Sequence, residues 1–256
     1  MIPRVSATRY VTPLREGGSL PGIIEADDLG TYVVKFRGAG QGLRVLVAEV
    51  LVGELARRLG IRVPDMVAVD LDPQIAKYEA DEEVQDLLNA SLGLNLGSDF
   101  LPGAFGYDAH CVPDADEAAA ILWLDAFTAN VDRSWRNPNL LVWHGKVWAI
   151  DHGAALYFHH GWSNGMTSPD RFAAQPYDAT DHVLAAHLSG VEAAHDRLGT
   201  QLDEATLADV AAEVPGEWLE TVPGAETGDA VRAAYVRFLS SRLAQPARWL
   251  PQVRAA

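Results

Sequence analysis

The stretch Asp132-Arg-Ser-Trp-Arg-Asn-Pro-Asn-Leu-Leu-Val-Trp-His-Gly-Lys-Val-Trp-Ala-Ile-Asp-His-Gly153 holds the densest chemistry of the chain. Residues 140–143 and 147–150 are β-branched and aromatic runs around His144-Gly145, a hairpin pattern. A loop with Asp132, Asn137 and Asn139 leads into the hairpin, and Asp151 closes it ahead of His152-Gly153. Asn137 has the usual spacing from the first aspartate, whereas Asn139 immediately precedes the strand. Pro138 between them cannot donate to a sheet, so the loop is expected to end there. Both asparagines stay open as carriers of a metal-facing amide oxygen. Asp151, at a strand end beside glycine, suits magnesium, a hard ion that takes oxygen ligands and retains waters. Phosphoryl transfer from ATP uses such a set: a carboxylate near the acceptor hydroxyl, and an amide oxygen and carboxylate on magnesium. Asp132 is placed to orient or deprotonate that hydroxyl.

Such chemistry also needs a cation on the phosphates, and the sequence offers one upstream. Gly22-Ile-Ile-Glu25 and Thr31-Tyr-Val-Val-Lys-Phe36 read as two strands joined by Ala-Asp-Asp-Leu-Gly. Lys35 lies in the second, with Val34 and Phe36 directed to the opposite face. It is either an ordinary solvent-facing strand residue or a ligand of the ATP phosphates. Residues 45–59 read as a helix ended by Gly60. On a helical wheel Glu49 falls beside Val45, Val52 and Ala56, on the apolar face. A carboxylate there needs a cationic partner or bears a heavy desolvation cost, and Lys35 is the candidate. Arg58 lies opposite, and Glu54 is turned roughly 140° away, so both are expected in solvent.

Other motifs carry less. Arg15-Glu-Gly-Gly-Ser-Leu-Pro-Gly22 could bring backbone N–H groups, around Gly18 and Ser19, close to phosphates. A plain turn explains it nearly as well, and neither GxGxxG nor GxxxxGK[ST] occurs. The histidines at 144, 152, 159, 160, 182, 187 and 195 show no HExxH spacing, and His152 is expected to pack beneath the Asp151 turn. Trp135, Trp143, Trp148 and Trp162 are read as core or rim packing. Cys111 stands alone, which excludes an intrachain disulfide and suits a reducing compartment.

The 256 residues are 48% hydrophobic and 21% charged, an ordinary balance for a chain that buries a core. A net charge of −15 argues against broad affinity for nucleic acid or anionic membrane. No apolar run has membrane-spanning length, the first residues lack the apolar core of a secretory signal, and the expected location is the cytoplasm. Residues 67–71 read as a strand and 72–89 as partly helical. Residues 93–106, with four glycines and one proline, read as a connector. Asp114 with Glu117 forms a capping-box pattern for a helix to about residue 130. Helices are expected over 179–187, 192–198, 203–213 and 229–250. The expected architecture is α+β: a small mixed lobe over residues 1–101 and a larger helical lobe over 102–256.

These residues resemble a known family. Asn130-Val-Asp-Arg-Ser-Trp-Arg-Asn-Pro-Asn-Leu-Leu together with Trp148-Ala-Ile-Asp-His-Gly is similar to the HipA-like kinases, in particular a short branch of them. The Asp-Arg opening also resembles the phosphatidylinositol kinases, which share the broader protein-kinase-like fold. The resemblance takes in Lys35, Glu49 and the catalytic segment. It implies a two-lobed kinase with ATP and magnesium between the lobes. It further implies Lys35 on phosphate, Asp132 as catalytic base, and Asp151 with Asn137 or Asn139 on the metal. The implied reaction is serine/threonine protein phosphorylation. A small-molecule or lipid acceptor, or a nucleotide-binding pseudokinase or scaffold, are the alternatives. The chain is shorter than the toxin-type members, and a toxin role is not implied.

Overall fold

The computed structural model describes residues 1–15, 20–40, 42–108, 110–111 and 113–252. Three strands open the chain: β1 (Arg4–Pro13), β2 (Gly22–Ala26) and β3 (Thr31–Lys35). Alternation sets the faces of β3: Tyr32, Val34 and the following Phe36 are buried, while Val33 and Lys35 are only partly covered. Helix α1 (Leu43–Arg58) crosses to β4 (Met66–Leu71), helix α2 (Glu82–Ala90) follows, and β5 (Gly93–Asp99) returns. The strands close into a barrel of order β1-β2-β3-β5-β4. All its pairings are antiparallel except β1 with β4. Its interior is filled by Val5, Ile24, Tyr32, Val34, Val67 and Val69.

Residues 93–106 are thus no connector. The first half of the segment is a barrel strand pinned between β3 and β4. Gly97 serves packing, since a Cβ there would lie 2.7 Å from Val69 Cγ2, whereas Gly93 and Gly103 take positive φ of +89° and +78°. β1 carries no readable signal because Val5 is its single fully buried residue.

α1 is stopped as its sequence dictates. Ile61 N donates to the Ala56 carbonyl at 2.9 Å and Gly60 N to that of Arg57 at 3.2 Å, with Gly60 at φ +75°. This is the Schellman arrangement, which favours glycine at that position. The apolar surface of α1 joins a second, larger core that runs through the helices downstream.

A three-stranded sheet, β6 (Phe105–Gly106), β7 (Leu140–Trp143) and β8 (Lys146–Ala149), begins that downstream part. Between β6 and β7 runs α3 (Ala115–Thr128), capped by Asp114, which accepts from Asp116 N and Glu117 N. α3 is buried along nearly its whole length, so it is the central helix. Downstream follow α4 (Pro169–Ala173), α5 (Val191–Gly199), α6 (Glu204–Ala212), α7 (Gly228–Ala244) and α8 (Pro246–Trp249); α5, α7 and Trp249 of α8 pack on α3, while α4 and α6 pack on α7.

Two helical expectations need correction. The span 229–250 is two helices, because Pro246 has no N–H to give the Arg242 carbonyl. That carbonyl accepts from Gln245 N at 3.1 Å and from the Trp249 indole at 2.7 Å. Residues 179–187 are turns running into a 3₁₀ segment (Ala185–Gly190). Their backbone is held by tertiary contacts: Val183 N donates to the Arg133 carbonyl, and Ser134 bridges His182. No described helix is long and apolar enough to cross a membrane.

Candidate active site

β3 presents Lys35 outward from the barrel core toward α1 and the end of β8. Its ammonium donates to Glu49 Oε1 and, at 2.6 Å, to Asp151 Oδ1. Glu49 is 5% exposed, as its place on the apolar face of α1 requires. Its second oxygen accepts from His152 N at 2.8 Å, so α1 also ties down the turn after β8. Burial alone would lower the Lys35 pKa, but Glu49 and Asp151 together push it up. Burial raises Glu49 against the pull of Lys35. Asp151 is held below the ordinary carboxylate range by Lys35, against the opposing effect of burial.

Gly153 permits this closeness. A Cβ there would stand 2.5 Å from Val45 Cγ1 and 3.1 Å from Glu49 Oε1. Asp151 itself takes φ +53° and Asn139 φ +48°, left-handed conformations uncommon for residues with side chains. Such conformations persist where surrounding contacts impose them. Here Ile150 N donates to the Asn139 carbonyl at 3.0 Å, which places Asn139 directly across the hairpin from the residue before Asp151.

A buried ion network carries the loop with Asp132. Asp125, on α3, takes Arg133 Nε at 2.6 Å and His182 Nε2 at 3.0 Å on one oxygen. Its other oxygen accepts from Asn130 Nδ2 at 2.8 Å. Burial opposes ionisation of Asp125, but Arg133 and His182 hold its carboxyl well below the usual range. The rest of the Arg133 guanidinium reaches the hairpin. It donates to the carbonyls of Asn139 and Ile150 and lies 3.1 Å from His152 Nδ1. Arginine has only hydrogens to give, so Nδ1 accepts. Burial and the Arg133 charge depress the His152 pKa to about 3, and the ring is neutral. One guanidinium thus fixes the loop, the start of β7 and the end of β8 relative to α3.

Asp132 projects from this scaffold. Its Oδ2 accepts from Asn137 Nδ2 at 2.8 Å and from Asn139 Nδ2 at 3.3 Å. The structure therefore brings Lys35, Glu49 and Asp151 into one cluster, and Asp132, Asn137 and Asn139 into another. The backbone of the β7–β8 hairpin links the two. Gly18 and Ser19 lie outside the described residues.

Other expectations resolve less evenly. Glu54 is not solvated: it is buried and donated to by the i+3 side chain of Arg57, which carries the compensating charge to the surface. α1 is covered on both sides, so a wheel with one wet face misplaces Glu54. Trp162 is fully buried, whereas Trp135 is 59% exposed with Arg136 stacked 4.1 Å from its ring centroid. Among the described residues no group of three or more His, Cys, Asp or Glu side chains is gathered for a metal ion. Sequence reasoning misses Asp125 and the scaffold role of Arg133. The signal was present, since Asp125 sits in the apolar run Ile121-Leu-Trp-Leu-Asp125-Ala-Phe as Glu49 does in its helix.

The sequence profile of the HipA-like kinases matches residues 8–250. The chain belongs to this family. No curated protein matches it. Among solved structures, the Helicobacter pylori proinflammatory kinase CtkA is similar at TM-score 0.53 and 12% identity, over 95% of this chain and 99% of that one. A Golgi casein kinase structure covers 95% of this chain and 71% of its own, with TM-score 0.42 and 14% identity. A second, with Mn/ADP bound, covers 94% and 72%, with TM-score 0.44 and 14% identity. The likeness to CtkA gives this HipA-like kinase a kinase-like fold of mixed strands and helices.

Proposed function

We propose that this HipA-like kinase transfers the terminal phosphoryl group of ATP to a serine or threonine hydroxyl of a protein, with magnesium. The observation that carries the reading is Lys35 held between Glu49 and Asp151. One ammonium faces two carboxylates there, with Asp132 close by in sequence to the hairpin, so the cluster lacks positive charge. A divalent cation corrects that imbalance. The donors fit magnesium, which prefers oxygen and keeps several waters. Asp151 and the amide oxygen of Asn139 would hold it, since these two flank the open end of the hairpin. Asn137 is exposed and serves to orient Asp132. When bound, the metal supplies charge neutralisation on the phosphates.

In this reading the barrel half, residues 1–101, and the helical half, 102–256, are the two lobes, and the nucleotide lies between them. Lys35 donates to its phosphates and Glu49 keeps Lys35 aimed. Both asparagine amides converge on Asp132 Oδ2, which leaves Oδ1 to accept the proton of the acceptor hydroxyl. The acceptor oxygen bonds to the terminal phosphorus as the bond to the bridging oxygen breaks, and ADP departs.

Purified protein with labelled ATP and magnesium is expected to show phosphotransfer, and Asp132→Asn and Asp151→Asn are each expected to abolish it. Full activity in both variants would overturn the assigned roles. A small-molecule acceptor is the second reading, favoured by a cavity beside the Asp132 loop. Alcohols tested against protein substrates separate the two. ATP binding without any ADP production would instead support a pseudokinase.

A further inference from the structure

A cavity of about 380 Å³ lies beside the loop that carries Asp132. Val131 and Ser134 of the loop wall it, together with the rings of Phe158, Phe172, Tyr177 and Phe238. Its volume falls within the range of small-molecule pockets, roughly 300–1,000 Å³. Arg242 also lines it, although the residue is only 1% exposed. Nη1 donates to the carbonyls of Ala173 at 3.0 Å and Gln175 at 3.3 Å, and Nη2 to that of Ala126 at 2.7 Å. The guanidinium also lies 4.5 Å from the Trp249 ring centroid and 5.5 Å from that of Phe238. Nε has no hydrogen-bond partner among the described residues. Burial lowers the Arg242 pKa to about 9, which leaves the group cationic at neutral pH. Its described partners are therefore carbonyl dipoles and ring faces, without the carboxylate that a buried cation favours.

The charge around the cavity is graded. Asp178 and Asp181 are exposed at its rim, while Arg242 is buried. A ligand with one negative charge directed inward suits this gradient, and a second charge at the rim opposes it. A carboxylate matches the donor geometry of a guanidinium, and flat apolar groups match the ring walls.

We propose that this cavity binds a small monocarboxylate with a flat apolar body, its carboxylate received by Arg242 and its body packed among Phe158, Phe172 and Phe238. The ligand then lies beside Val131 and Ser134, on the acceptor side of Asp132. That last placement rests on the phosphotransferase reading; the binding does not.

The full chain, without nucleotide or magnesium, is titrated with phenylpropionate, its neutral amide and para-carboxyphenylpropionate. Calorimetry gives affinities, and nitrogen-edited NMR follows the Arg242 Nε–H resonance, assigned through bonds. The monoacid is expected to bind and to move that resonance. The amide is expected to bind about tenfold more weakly, because it loses the charge-assisted bond. The dianion is expected to be weaker than the monoacid. Thr180→Trp, at the exposed rim, is expected to block binding with thermal unfolding unchanged. Absence of monoacid binding, equal affinity for acid and amide, or an Arg242 resonance unmoved at saturation overturns the proposal. A protein that binds the acid but transfers no phosphoryl group refutes the kinase reading and leaves this site standing.

Discussion

Lys35 Nζ lies 2.6 Å from Asp151 Oδ1, joining a barrel strand to the end of a hairpin 116 residues later. The same ammonium holds Glu49 of α1. Three elements distant in sequence therefore meet on one cation, and each contact constrains the others. Lys35 cannot leave without exposing two carboxylates to each other.

This coupling has a measurable size. Lys35→Met is expected to destabilise the protein by about 3 kcal/mol, since it strands the buried Glu49 carboxylate. Adding Glu49→Gln is expected to recover most of that loss, because the stranded charge is removed with its partner. Urea unfolding of the two single variants and the double variant measures the interaction. Additive losses would show that the two side chains are not coupled.

Gly153 offers a steric test. Gly153→Ala places a methyl 2.5 Å from Val45 Cγ1, and forced repacking of this kind costs roughly 1–3 kcal/mol. Val45→Ala opens that space, so in urea unfolding the double variant is expected to lose less than the sum of the two single losses. If Val45→Ala gives no relief, the close approach of α1 to the turn is not what Gly153 serves.

The two asparagines are separable by calorimetry of nucleotide binding with and without magnesium. Asn139→Ala is expected to weaken the magnesium-dependent part by about tenfold or more. Asn137→Ala is expected to leave it nearly unchanged and to reduce turnover through Asp132. The opposite pattern would move the ligand role to Asn137.

Acid stability should show two distinct windows. The folded pKa of His152 is depressed from 6.5 to about 3, so the unfolded chain takes up this proton first as pH falls. Its contribution is complete above 6.5 and is lost between 6.5 and about 3. His152→Asn is expected to flatten the fall in urea midpoint over the upper part of that window. Asp125 acts lower: its stabilisation is present above the ordinary value of 3.8 and is lost as pH falls on toward its depressed folded value. Asp125→Asn is expected to cost about 3 kcal/mol at neutral pH, by unpairing Arg133. A His152→Asn slope equal to that of the parent would exclude His152 as the titrating group.

Much of the candidate site is legible because its residues break local rules. Glu49 on an apolar helix face demanded a cation, and the preceding strand held one. Asp125 breaks the same rule, and its run of apolar neighbours carries the same signal. A helical wheel misplaces Glu54 because it assumes one wet side, and α1 has none there. The segment 93–106 misleads for a related reason: Gly97 marks close packing against Val67 and Val69, not a turn.

The sequence by itself determined the hairpin, the capped helices and the pairing of Lys35 with Glu49, since these follow from periodicity, turn chemistry and the cost of burying an unpaired charge. Tertiary structure alone decided that Asp151 shares Lys35, that Arg133 binds loop and hairpin to α3, and that Asn139 stands across from Ile150. Those contacts join residues far apart in the chain, and no local pattern records which distant partner satisfies a buried charge. The stretch from Asp132 to Gly153 carries the candidate residues; the packing around Asp125 and Glu49 gives them their geometry.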